Sequence, residues 1–122
     1  MPKVALIIDD EPANIDLLKG LLPTNYKVKA ALTGDKAIKL VERSEPDIIF
    51  LDLLMPGLSG YQTLDALQKI PVFNCPVVIV SGNATDLDIS TSLKAGAVAH
   101  LQKPVDPTQI HALIQTYVEQ AK

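Results

Sequence analysis

Apolar residues recur along this chain in two rhythms. Three runs, Val4 to Ile8, Ile48 to Leu51 and Val77 to Val80, are continuously apolar, rich in β-branched side chains, and polar or acidic at their exits. Short runs of this kind belong to strands buried on both faces in the middle of a parallel sheet. Tyr26 to Ala31 alternates apolar and charged positions, as a strand nearer an edge does, and Val98 to Leu101 supplies a short fifth strand.

Between these runs the apolar spacing lengthens to that of helices. The first helical segment carries Ile15, Leu18, Leu21 and Leu22 on one face, after a loop containing Pro12 and Asn14. Thr33 caps a second, with Ala37, Ile38 and Val41 inward and a stop before Pro46. A third runs from about Tyr61 to Lys69 on Leu64 and Leu67, and a fourth from about Thr85 to Ala95, closed by Gly96. Leu87, Ile89 and Leu93 on the fourth are expected to place at least one side chain in the core. The fifth begins near Pro107 and presents Ile110, Leu113, Ile114, Tyr117 and Val118. Five strands alternating with five helices predict right-handed crossovers and an α/β fold: a doubly wound, five-stranded parallel sheet with helices on both faces.

Composition narrows this picture. The 122 residues suffice for one continuous core, so a single domain over 1–122 is expected. Hydrophobic residues make up 48% of the chain, yet there are only three Tyr, two Phe and no Trp, which makes that core aliphatic. Acidic residues outnumber basic ones, 14 to 11, and no basic run tracks phosphates, which argues against direct nucleic-acid binding. Cys75 stands alone, excluding an internal disulfide and a cysteine zinc cluster. The apolar stretch before Asp9 is too short for a signal-peptide core or a membrane span, so a cytoplasmic protein with no membrane partner is expected.

In doubly wound sheets the working groups collect beyond the carboxyl ends of the strands. The exits here are Asp9 and Asp10 after the first strand, Asp52 after the third, Ser81 after the fourth and Lys103 after the fifth. Three converging carboxylates repel one another unless a hard cation sits among them or some are protonated. Mg²⁺ is the simpler solution, because it takes few protein carboxylates and keeps room for water and phosphate oxygens. Lys103 supplies the opposing charge, and the Ser81 hydroxyl a donor to a phosphoryl oxygen.

The segments IIDDEP, FLDLLMPGLSG, VIVSGNA and LQKP, taken in order across the chain, resemble the signatures of response-regulator receiver domains of two-component systems. The resemblance implies a flavodoxin-like strand order, 2-1-3-4-5, and a phosphorylation-dependent switch. Asp52 would be the phosphoacceptor, receiving its phosphoryl group from a sensor histidine kinase or a histidine phosphotransfer protein. Asp10 would contact Mg²⁺ directly, Asp9 would help hold it, and the backbone carbonyl of Leu54 would be a third protein ligand. Ser81 matches the family's hydroxyl residue, and Lys103 its phosphate-contacting lysine, followed by Pro104 across a peptide bond that is usually cis. The output would pass to a downstream effector protein or effector domain. One position departs from the common pattern: His100 stands where the family usually has Tyr or Phe as a switch residue. Leu54 and Asn83 occupy the positions that flank the attacking water in the family, which implies slow self-dephosphorylation.

Each residue also has a plainer reading. Asp9 and Asp10 suit a solvated turn, Asp52 a cap before Met55-Pro56-Gly57, Ser81 a turn hydroxyl and Lys103 a surface charge. It is their joint order on successive strand exits that resists coincidence. Gly57 and Gly60 read as backbone freedom for the turn after Asp52, and His111 as helix surface. A flavin-binding protein of the same topology is disfavoured, since Asp9, Asp10 and Glu11 would repel the flavin phosphate. An aspartyl-phosphate phosphatase would typically carry a second Asp two places after the nucleophile, where this chain has Leu54. A degenerate receiver serving only as a docking surface is disfavoured by the full acidic triad.

Overall fold

In the computed structural model, which describes residues 2–119 except 54, 56, 58, 83 and 84, strands and helices alternate throughout. The strands are β1 (Val4–Ile8), β2 (Lys27–Ala31), β3 (Ile48–Asp52), β4 (Val77–Ser81) and β5 (Ala99–Gln102). The helices are α1 (Pro12–Leu21), α2 (Gly34–Arg43), α3 (Gly60–Gln68), α4 (Asp86–Lys94) and α5 (Pro107–Ile114). All strand pairs are parallel, in the order β2-β1-β3-β4-β5. The chain therefore has the expected doubly wound, flavodoxin-like sheet.

The continuous apolar runs are the inner strands, and their alternate side chains feed two core layers. Ile7, Phe50 and Val80 pack on one face with Ile15 and Leu18 of α1 and Ile110 and Ile114 of α5. Ile8, Leu51 and Ile79 pack on the other with Ala37 and Val41 of α2 and Leu64 and Leu67 of α3. Burial on both faces removes any reason for alternation, which is why β3 and β4 are buried along their whole length. Their polar last residues, Asp52 and Ser81, are carried into the interior by this packing.

Several boundaries differ from the sequence pattern. α1 starts at Pro12 rather than after it, because proline's fixed φ suits the first helical turn and its missing N–H is not needed there. β2 starts at Lys27, and β5 runs from Ala99 rather than Val98. Tyr26 lies just before β2, buried, its hydroxyl donating to Glu119 at 3.2 Å. Tyr117 and Val118 lie beyond α5, on a π-helical turn over Gln115–Glu119.

The larger correction concerns α4. Leu87 is 74% exposed, Leu93 is exposed as well and Ile89 is only half-buried, so none of the three joins the core. The buried residue of α4 is Ser92, whose hydroxyl donates to the Asp88 carbonyl at 2.8 Å. A short side chain that satisfies itself on its own helix lets α4 approach the sheet without an apolar anchor.

Candidate functional site

β1 and β3 are neighbours in register, Ile8 beside Leu51, so their next residues leave the sheet side by side. Asp9, Asp10 and Asp52 consequently offer carboxylate oxygens that all lie within 4.8 Å of one another. Asp9 and Asp52 are buried and Asp10 is half-buried. Three oxygen donors of this hardness, close together and partly shielded from water, match what Mg²⁺ takes from protein.

Lys103, at the exit of β5, reaches across to this cluster. Its ammonium lies 3.3 Å from Asp9 Oδ2 and 3.5 Å from Asp52 Oδ1. Burial by itself would lower the lysine pKa, but the charges of Asp52 and Asp9 outweigh it, and the net shift is upward. Lys103 is thus held firmly in its charged form. The backbone holds it in place too, since its N–H donates to the Ser81 carbonyl at 2.8 Å, and the Lys103–Pro104 peptide bond is cis.

Asp9 also serves the turn that the plainer reading assigned to it. Its Oδ1 accepts from the Glu11 N–H at 3.0 Å, while Oδ2 faces Lys103. The helix that follows has no other side-chain cap at its start.

Ser81 is buried at the exit of β4, and its Oγ lies 3.2 Å from His100 Nε2. His100 is half-buried on β5. Burial lowers its pKa, opposed by the nearby Asp88 carboxylate. Asp88 escaped the sequence reading, although the Thr85-to-Asp88 spacing is a capping-box signal. Its carboxylate accepts from Thr85 N–H at 3.0 Å, its own N–H donates to Thr85 Oγ1, and its carbonyl accepts from the Tyr61 hydroxyl at 3.2 Å. The bonds its carboxylate receives from Thr85, foremost the one from the backbone N–H, lower the Asp88 pKa. Leu54 and Asn83, expected to supply a metal-binding carbonyl and to flank the attacking water, lie outside the described residues.

Gly60 explains how the turn after Asp52 closes. A Cβ there would lie 2.5 Å from both the Asp52 carbonyl oxygen and Leu53 Cα, and the Gly60 N–H donates to the Leu53 carbonyl at 2.8 Å. Only glycine lets α3 start this close to the end of β3. Gly57 has φ of +76°, the left-handed region that glycine enters without strain.

Comparisons with known proteins agree with this architecture. Residues 5–115 match the family model described as response regulator receiver domain. The nitrate/nitrite response regulator protein NarL of Escherichia coli is 35% identical over 112 residues, covering 89% of this chain and 51% of NarL. A CheY-like receiver domain protein from Methanospirillum hungatei has a solved structure with TM-score 0.86 and 28% identity, covering 98% of this chain and 96% of that one. The receiver domain of the sensor histidine kinase PA1611 from Pseudomonas aeruginosa, solved with magnesium in its active site cleft, shares the fold at TM-score 0.88 and 24% identity, covering 98% of this chain and all of that one. The chain spans between 26% and 53% of the length of the first curated relatives it matches. With a family match across most of its length and the fold to go with it, the chain belongs to the response regulator receiver domains of two-component systems.

Proposed function

We propose that Asp52 accepts a phosphoryl group, in a Mg²⁺-dependent reaction, from a phosphohistidine on a sensor kinase or a histidine phosphotransfer protein, and that this changes the chain's protein-binding surface. The observation that carries the proposal is the convergence of Asp9, Asp10 and Asp52 within 4.8 Å, with the Lys103 ammonium against two of them. Asp9, Asp10 and Asp52 would hold the metal, with the Leu54 carbonyl as the further ligand that family resemblance implies. Bound there, Mg²⁺ would offset the carboxylate charges and the charge on the phosphoryl oxygens.

A carboxylate oxygen of Asp52 attacks phosphorus, the P–O bond forms as the P–N bond breaks, and the imidazole leaves with the electron pair of that bond. Lys103 exchanges its contact with Asp52 for one with a phosphoryl oxygen, stabilising the charge that spreads over those oxygens. Positioning supplies the rest, so the receiver promotes its own modification without being an enzyme toward other substrates. Ser81 turns its hydroxyl from His100 to the phosphoryl group, which frees the imidazole and alters the surface of β4, α4 and β5. A downstream effector protein or domain reads that surface, in the cytoplasm. Leu54 cannot orient a water and Asn83 is not a base, so the phospho-aspartate decays slowly.

The test is intact-mass spectrometry after incubation with acetyl phosphate. The wild type with Mg²⁺ gains one phosphoryl group, whereas Asp52→Asn with Mg²⁺, and the wild type in EDTA, gain none. Equal labelling of Asp52→Asn would overturn the assignment.

A further inference from the structure

An apolar cavity of about 480 Å³ opens beside Asp52 and runs under α1 toward the sheet. Leu18 and Leu21 of α1, Phe50 of β3, Val80 of β4 and Val105 of the loop after β5 form its walls. Asp9, Asp52 and Lys103 stand at its polar side. A phosphoryl group and a hydrated metal ion use only that polar side, and the apolar space has no part in their chemistry.

We propose that this cavity binds a small amphipathic cation, an apolar body such as a phenyl ring joined by a short chain to a protonated amine. Its volume is within the roughly 300–1,000 Å³ usual for small-molecule sites, and apolar walls with a few convergent polar groups are the usual lining. The sign of charge follows from the mouth. Lys103 already lies against both Asp9 and Asp52, so one ammonium faces two carboxylates, and Asp10 adds a third beside them. With no divalent ion bound an anion is repelled there, and a cation is held by charge-assisted hydrogen bonds. The ring displaces water from the partly exposed Leu21 and Val105 while the amine sits at the carboxylates. Because Mg²⁺ draws on the same carboxylates, amine and metal weaken each other's binding by the same factor. The inference rests on the cavity and the charges alone and is independent of phosphoryl transfer.

The test is NMR titration of methyl-labelled protein, free of Mg²⁺ and phosphodonor, with 2-phenylethylamine. Two control probes are 2-phenylethanol, which keeps the shape without the charge, and methylamine, which keeps the charge without the ring. Saturable shifts and ring-to-methyl NOEs at Leu21, Val80 and Val105 are expected, with the amine about tenfold tighter than the alcohol and methylamine without NOEs there. Val105→Phe, which fills the space, should lose the amine yet keep its thermal response to Mg²⁺. Absence of those NOEs in the wild type overturns the proposal whether or not the variant folds. Equal affinity for amine and alcohol would remove the charge requirement, and a folded Val105→Phe protein binding the amine unchanged would move the site out of the cavity.

Discussion

His100 carries the most chemistry that a common receiver pattern would not supply. Its imidazole meets Ser81 Oγ at 3.2 Å, and burial lowers its pKa while Asp88 opposes the shift. A lowered folded-state pKa means that the unfolded chain binds a proton more readily than the folded one. Stability is therefore fully present above the unfolded value of 6.5 and declines as pH falls toward the folded value. His100→Phe should flatten the fall in melting temperature between about pH 7.5 and 5, read by calorimetry at matched ionic strength. A slope as steep as the wild type's would assign that dependence to other groups. The serine and the histidine were each legible in the sequence as functional candidates, since each sits at a recognisable place on its strand. The charge beside His100 was not, because Asp88 comes to it only through the way α4 lies on the sheet.

Among the elements, α3 and α4 show what local pattern can and cannot supply. Ser59 caps α3 with a reciprocal bond pair to Gln62, and Gly60 lets the helix start against the Asp52 carbonyl. The new Cβ of Gly60→Ala would run into the Asp52–Leu53 backbone, so either α3 or the end of β3 must move. We expect a loss of roughly 1–3 kcal/mol, the usual range for overpacking a tight interior site, in urea unfolding. Stability unchanged within experimental error would mean that the turn relaxes freely. Strands and helices were legible because buried runs and helical spacing carry their own signal. The face that α4 buries was not, since its buried residue is the hydroxyl-bearing Ser92 while the larger Leu87 and Leu93 face water. Nor did any spacing announce the π-helical turn at Gln115–Glu119, where the chain keeps Val118 buried without continuing α5.

At the scale of the whole molecule, the parallel sheet brings residues more than forty positions apart in the chain to one edge, and they arrive with unbalanced charge. Among the described residues Asp9, Asp10 and Asp52 outnumber Lys103 at this edge, so the proposed divalent ion would relieve a repulsion that the metal-free fold bears. Mg²⁺ should raise the melting temperature, with stabilisation of about 2.7 kcal/mol at a hundredfold excess over Kd. Two variants should move in opposite directions. Asp10→Asn should be more stable without metal and respond less to it, whereas Lys103→Met should be less stable without metal and respond more. Differential scanning calorimetry decides this, and equal metal responses in all three proteins would place the ion elsewhere. The strand exits made this cluster readable from sequence, because polar residues ending apolar runs of a parallel sheet have one edge to share. The cavity beside it was unreadable, since Leu21, Val80 and Val105 look like ordinary core until the packing is seen.

The central claim is that Asp52 takes the phosphoryl group, and trapping the modified side chain tests it most directly. Protein incubated with acetyl phosphate and Mg²⁺ is reduced with borohydride, which converts an aspartyl phosphate to homoserine, and the peptides are then sequenced by mass spectrometry. Homoserine at position 52 alone is the predicted result. Homoserine at Asp9 or Asp10, or a stable phosphate on Ser81 with position 52 unmodified, would contradict the account.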